Sequence, residues 1–197
     1  DNYYVDNTSD NVIENASEGT DTIWSTVSFT ASNNVEKLFL RGSGNINAVG
    51  NSSANTLGGN TGDNTLTGAG GDDTIYGIAG ADNILGGDGS DNLYGGTGDD
   101  NLLGGTGDDV ITGSEGSDTI VISVSDENGE RDAGTDIITD FNPSDEITFA
   151  GFGITKSQDG SLPSEVLISK NSVSGNYEIS VQKVSGTNTL TSLVIIC

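Results

Sequence analysis

From Gly50 to Val121 the chain divides into eight consecutive blocks of nine residues without one insertion or deletion. Such a period constrains the fold more than any local propensity. Each block must become the same structural unit and bury its apolar side against its neighbours. The blocks begin at Gly50, Gly59, Gly68, Gly77, Gly86, Gly95, Gly104 and Gly113. Position eight is Leu57, Leu66, Ile75, Ile84, Leu93, Leu102, Ile111 and Ile120, aliphatic every time. Position six is Asp73, Asp82, Asp91, Asp100, Asp109 and Asp118 in the last six blocks, but Asn55 and Asn64 in the first two.

This unit reads as a short strand around position eight, with its aliphatic side chain inward, and a Gly-rich turn over positions one to six. Two units make one coil, and coils stack by parallel strand pairing about 4.8 Å apart, so eight units give a roll roughly 20 Å long. Glycine at positions one, two and four permits φ > 0 and lets backbone carbonyls converge. The expected fold is all-β: a right-handed parallel β-roll (β-helix) of nonapeptide repeats, with strand-rich N-terminal coils and a C-terminal β cap. The expected boundaries are 1–49 for irregular coils, 50–121 for the repeats and 122–197 for the cap.

Charge says what else such a roll needs. Thirty acidic residues face six basic ones, for a net charge of -24, and 32% of residues are hydrophobic. The stretch 42–130 holds fifteen carboxylates and no base. Position-six aspartates in neighbouring coils would stand about 5 Å apart, a row of like charges that is destabilising unless a cation joins it. Calcium suits the row, because it takes six to eight oxygens at about 2.4 Å from carboxylates and carbonyls, whereas Mg²⁺ keeps its waters and demands a tighter octahedron.

The same composition removes other functions. With no His, imidazole metal sites and His-based triads are impossible. The paired acids Asp72-Asp73, Asp99-Asp100 and Asp108-Asp109 are explained by their repeat positions, so no enzyme is expected in this chain. The charge makes nucleic acid an improbable partner. No apolar run is long enough for a membrane span. The one Cys, Cys197, allows no intramolecular disulfide.

The block Gly95-Gly96-Thr97-Gly98-Asp99-Asp100-Asn101-Leu102-Leu103 follows G-G-x-G-x-D-x-U-x, and on these residues the chain resembles the RTX proteins: serralysin-type proteases, secreted lipases, haemolysin-like toxins and mannuronan C5-epimerases. The resemblance implies ions between coils, each held by the position-two and position-four carbonyls and Asp of one unit, and by the position-one and position-three carbonyls and Asp two units on. Carried onto this chain, one edge would hold an ion between Ala69, Gly71, Asp73 and Gly86, Asp88, Asp91, and another between Gly87, Gly89, Asp91 and Gly104, Thr106, Asp109. The opposite edge would pair Ile78, Gly80, Asp82 with Gly95, Thr97, Asp100, and Gly96, Gly98, Asp100 with Gly113, Glu115, Asp118. That makes about four strong calcium sites and one to three weaker ones, with Asn64–Asp82 and Asn55–Asp73 the weak amide-containing pairs.

The flanks resemble the same family less specifically. Asp1-Asn2-Tyr3-Tyr4 reads as positions six to nine of an earlier unit, and residues 11–49 as wider coils of the same stack, so the chain is expected to be part of a larger protein. Thr135-Asp136-Ile137-Ile138-Thr139-Asp140-Phe141 and Asp145-Glu146-Ile147-Thr148-Phe149 resemble the segment that closes such rolls. There Asp136, Asp140 and Asp145 read equally as solvated loop acids or as ligands of a terminal ion. Residues 166–170 and 176–183 read as a hairpin around Ser174-Gly175-Asn176, and Leu193-Val194-Ile195-Ile196 as a core strand of the cap or an export signal. Position nine stacks Tyr76 with Tyr94 on one outer face, and Leu85, Leu103 and Val121 on the other, where a covering segment or partner is expected.

The resemblance implies a calcium-binding module that folds in extracellular calcium and supports secretion and stability of a larger protein, located outside the cell or on its surface after type I secretion. Its partners are then calcium ions and other domains of the parent protein. The competing reading is an adhesive surface module that binds polysaccharide of the alginate type or a cell surface.

Overall fold

A computed structural model describes residues 1–123, 135–140 and 144–150, together with the strands at 166–170, 177–181 and 192–195. Those residues are all-β, a parallel solenoid closed at one end by antiparallel strands. The first coils contain β1 (Asn2–Val5), β2 (Thr22–Ser25), β3 (Phe29–Thr30), β4 (Lys37–Leu40), β5 (Ala48–Val49) and β6 (Thr56–Gly58). The regular repeats contain β7 (Thr65–Gly70), β8 (Thr74–Ala79), β9 (Asn83–Asp88), β10 (Asn92–Thr97), β11 (Asn101–Thr106), β12 (Val110–Glu115) and β13 (Thr119–Ser123). Beyond them lie β14 (Thr135–Ile138), β15 (Glu146–Ala150), β16 (Val166–Lys170), β17 (Tyr177–Val181) and β18 (Ser192–Ile195).

Successive repeats alternate between two sheets, one ordered β1-β2-β4-β6-β8-β10-β12-β14-β18-β17-β16 and the other β15-β13-β11-β9-β7-β5-β3. Position eight sets the register. Leu57 pairs with Ile75, Ile75 with Leu93 and Leu93 with Ile111 in the larger sheet, while Leu66, Ile84, Leu102 and Ile120 stack in the smaller. All eight are buried and form one core between the sheets. A one-residue slip would turn every one of them to solvent, which is why the aliphatic column specifies the stack so strongly. On the outer side Leu85 is 36% exposed and Leu103 half-buried, in register one coil apart, so neither is fully solvated.

The N-terminal residues continue the same stack, as expected, but their coils are uneven rather than uniformly wide. Equivalent residues lie 20 apart from Asp1 to Asp21, 15 apart from Asp21 to Glu36 and 19 apart from Ser28 to Asn47. Tyr3 pairs with Ile23 and Ile23 with Leu38, so the first four residues do occupy repeat positions six to nine. At the other end the interval widens to 27 residues, from Asp109 to Asp136 and from Asp118 to Asp145.

The cap changes strand direction. β18 pairs parallel with β14, and β17 then pairs antiparallel with both β18 and β16, which places the expected hairpin at the edge of the larger sheet. Antiparallel pairing ends the translational repeat that would otherwise invite further strands. The turn Ser174-Gly175-Asn176, Phe141, Ile196 and Cys197 lie outside the described residues.

Candidate metal centres

Turn geometry is where the glycines matter. Position two has φ between 76° and 127° at Ala69, Ile78, Gly87, Gly96, Gly105 and Ser114, and position four has φ between 93° and 149° at Gly71, Gly80, Gly89, Gly98, Gly107 and Gly116. Two left-handed residues separated by one ordinary residue aim the position-two and position-four carbonyls along the roll axis. The Ala69 carbonyl meets Gly87 of the next coil, and the Gly71 carbonyl meets Gly89. Position one contributes from the other side. At Gly68 an added Cβ would lie 2.5 Å from the Gly86 carbonyl oxygen and would collide with Oδ2 of Asp73. The bare Cα thus leaves a cradle that a methyl group would fill.

Each ladder aspartate uses its two oxygens differently. Oδ1 accepts the backbone N–H of the Asp one coil earlier: Asp73 N–H to Asp91 at 2.8 Å, Asp82 to Asp100 at 2.8 Å, Asp91 to Asp109 at 2.9 Å and Asp100 to Asp118 at 2.9 Å. Oδ2 has no hydrogen-bond partner in Asp73, Asp82, Asp91, Asp100, Asp109 or Asp118, although all six are buried. A buried carboxylate oxygen with no donor is costly, and a whole series of them in register calls for a cation. Without one, burial is the main force pushing these groups up: Asp73, Asp100 and Asp109 to about 7 and Asp82 to about 6, with Asp91 and Asp118 also raised.

The expected position-three carbonyls are partly engaged. Gly71 N–H donates to the Asp88 carbonyl, Gly80 to Thr97, Gly89 to Thr106 and Gly98 to Glu115, at 2.8 to 2.9 Å. Each such oxygen keeps a second lone pair. The donor set is therefore hard oxygen throughout, carboxylate and carbonyl, and it fits calcium rather than a thiolate- or imidazole-seeking metal.

Two sets of expected ligands have other hydrogen-bond partners. At the weaker sites each amide oxygen is already engaged once, Asn55 Oδ1 accepting from Asn51 N–H at 2.7 Å and Asn64 Oδ1 from Asn60 N–H at 2.8 Å. Their amide nitrogens donate to the Val35 and Ile46 carbonyls. An amide has both a donor and an acceptor, so these turns close themselves where an aspartate turn cannot. At the other end, Asp140 does not join the ladder. Its two oxygens accept Gly113 N–H at 3.0 Å and Ser114 N–H at 2.8 Å. Asp136 and Asp145 continue the two columns instead, accepting from Asp109 and Asp118 N–H, both at 3.2 Å. Asp136 is buried, and burial first, then the Asp109 charge, pushes it up to about 8.

Sequence reasoning missed the role of position five, the residue just before the ladder position. Position-five Asp63, Asp72 and Asp99 accept the N–H of Ala81, Ser90 and Ser117 one coil later, at 2.8 to 3.0 Å. Acid thus alternates with Ala or Ser along each edge, which puts two coils between successive outer charges. That alternation is written in the repeat. A further acidic grouping, Asp1, Glu14 and Asp21, brings carboxylates within 4.8 Å of one another, with Tyr3 donating to Glu14, but none of its oxygens is among the orphaned ones.

Residues 49–84 and 85–120 match the family model of the RTX calcium-binding nonapeptide repeat (4 copies). That repeat is a structural calcium-binding unit and not a catalytic one. No curated protein matches the chain. Among solved structures, the crystal structure of extracellular lipase LipA from Serratia marcescens is similar at 16% identity with a TM-score of 0.29, over 90% of this chain, which spans 42% of that lipase chain.

Proposed function

For a chain whose residues 49–84 and 85–120 are RTX calcium-binding nonapeptide repeats, we propose a calcium-dependent folding module of a larger secreted protein. The observation that carries this is the series of six buried, donorless Oδ2 atoms in register. Bound calcium supplies the positive charge that lets neighbouring carboxylates ionise side by side. Asp73, Asp82, Asp91, Asp100, Asp109 and Asp118 would hold it, with the position-one and position-two carbonyls at each junction and those of positions three and four beside them. Asp136 and Asp145 extend the two ladders by one coil. Asn55 and Asn64 act as self-closing turns at the opposite end.

In the unfolded chain these ligands are scattered, so calcium-binding free energy becomes folding free energy. The chain then stays expanded where calcium is scarce and folds where it is plentiful, which favours export by a type I route and folding outside the cell. Isothermal titration tests the reading. Calcium should bind with a stoichiometry of several ions, Mg²⁺ should not replace it, and Asp100→Asn should weaken binding at least about tenfold, because the amide keeps the Asp82 hydrogen bond but loses the charge. A Mg²⁺ titration equal to that of calcium would overturn the reading.

A further inference from the structure

At positions seven and nine the outer faces of both sheets are free of carboxylates through the repeats, and that of the larger sheet alone carries a row of aromatic rings. Tyr4, Trp24, Phe39, Gly58, Tyr76 and Tyr94 stand there in one row, in register one coil apart. Trp24 and Phe39 stack with ring centroids 4.9 Å apart, and Tyr76 and Tyr94 at 5.0 Å with their planes 9° apart. Phe39 leans over the bare Cα of Gly58, where a Cβ would meet it at 2.6 Å, so no other side chain interrupts the row. Beside it, Thr56, Thr74 and Asn92 form a parallel row of hydroxyl and amide groups. From β1 to β12 neither row contains a carboxylate, in a chain with thirty acidic residues. The one cation within them is Lys37, and Arg41 lies over the Trp24 ring at 4.9 Å.

A second observation points to the same place. Ile78 has φ 86° and is 50% exposed, two residues on from Tyr76, itself 40% exposed, and in register with Gly96. A β-branched residue is strained in that region, where the equivalent turns carry Gly87, Gly96 and Gly105 or the smaller Ala69 and Ser114. Of the three non-glycine residues there, Ile78 is the one that adds a large apolar side chain at the surface.

We propose that this face binds a linear, uncharged polysaccharide laid along the roll axis. The surface repeats by translation, so its ligand is a polymer with a short repeat. Aromatic and aliphatic groups in one row and hydroxyl and amide groups in the next match a sugar chain, whose units alternate apolar C–H surfaces with hydroxyl edges. The net charge of -24 turns away a polyanion, whereas the acid-free face does not oppose a neutral chain.

The test is affinity electrophoresis of the calcium-loaded chain through gels containing hydroxyethyl cellulose, with alginate as the anionic comparison. The neutral polymer should retard the protein, and Tyr94→Ala and Ile78→Gly should each weaken retardation about fivefold, the effect of one lost aromatic or apolar contact. Ile78→Gly keeps the position-two carbonyl and installs the residue found at Gly87 and Gly96, and its calcium titration must match the parent before retardation is compared. Leu85→Ser, on the opposite outer face, should leave binding unchanged. No retardation by the neutral polymer, equal retardation by alginate, or retardation unaffected by both face variants overturns the proposal. So does a sedimentation result in which Tyr94→Ala converts a dimer into a monomer, which would make the face a self-contact. None of these outcomes bears on calcium-dependent folding, which a calcium titration of the same sample reads separately.

Discussion

An aspartate at position six has one oxygen committed to the backbone of the preceding coil and one committed to nothing, and a glycine at position one makes room for the second. The pair is therefore sensitive to a single methyl group. At Gly86 a Cβ would lie 2.5 Å from the Gly104 carbonyl oxygen and would collide with Asp91 Oδ2, both part of a candidate ligand set. At Gly70 the nearest atoms would be 3.8 Å and 4.0 Å away, ordinary contact. Gly86→Ala should raise the calcium concentration needed for folding and cost about 1–3 kcal/mol, while Gly70→Ala should be close to neutral. The midpoint of calcium-induced folding measures both, and equal midpoints for the two variants would count against the cradle.

Among the elements, the turns divide into two kinds that share a backbone role. Aspartate turns leave an oxygen unpaired, and asparagine turns pair it with their own position-two N–H. Asn64→Ala removes the acceptor for Asn60 N–H and the donor to the Ile46 carbonyl, so it should destabilise the roll by about 1–3 kcal/mol while leaving the number of bound calcium ions unchanged. Thermal unfolding in excess calcium, alongside a binding titration, separates the two quantities. The sequence pattern could not make this distinction, because Asn and Asp look alike as oxygen donors until the local N–H is placed. It did reveal the strands, their register and the inward column, since a nine-residue period with an aliphatic position eight permits little else. The terminal acids are less legible: Asp136 and Asp145 take ladder positions only after a 27-residue interval, and Asp140, which the resemblance to a closing segment groups with them, caps backbone N–H groups with both oxygens.

For the whole molecule, the carboxylate columns make stability depend on both protons and calcium. Asp73, Asp100 and Asp109 are raised to about 7 and Asp82 to about 6, chiefly by burial, so the ion-free roll binds protons more tightly than the unfolded chain. That contribution is present below the unfolded carboxylate value near 4 and is lost as pH rises through 6 and 7. The calcium-free chain should accordingly show more β structure at about pH 4.5 than at pH 8, and the opposite order would contradict the burial of the ladder. The account rests most directly on one measurement, the far-ultraviolet circular dichroism of the whole chain at neutral pH, first in chelator and then with millimolar Ca²⁺ or Mg²⁺. It predicts a disordered spectrum that becomes β on adding Ca²⁺ and not on adding Mg²⁺. A β spectrum already complete in chelator and unchanged by calcium would contradict it.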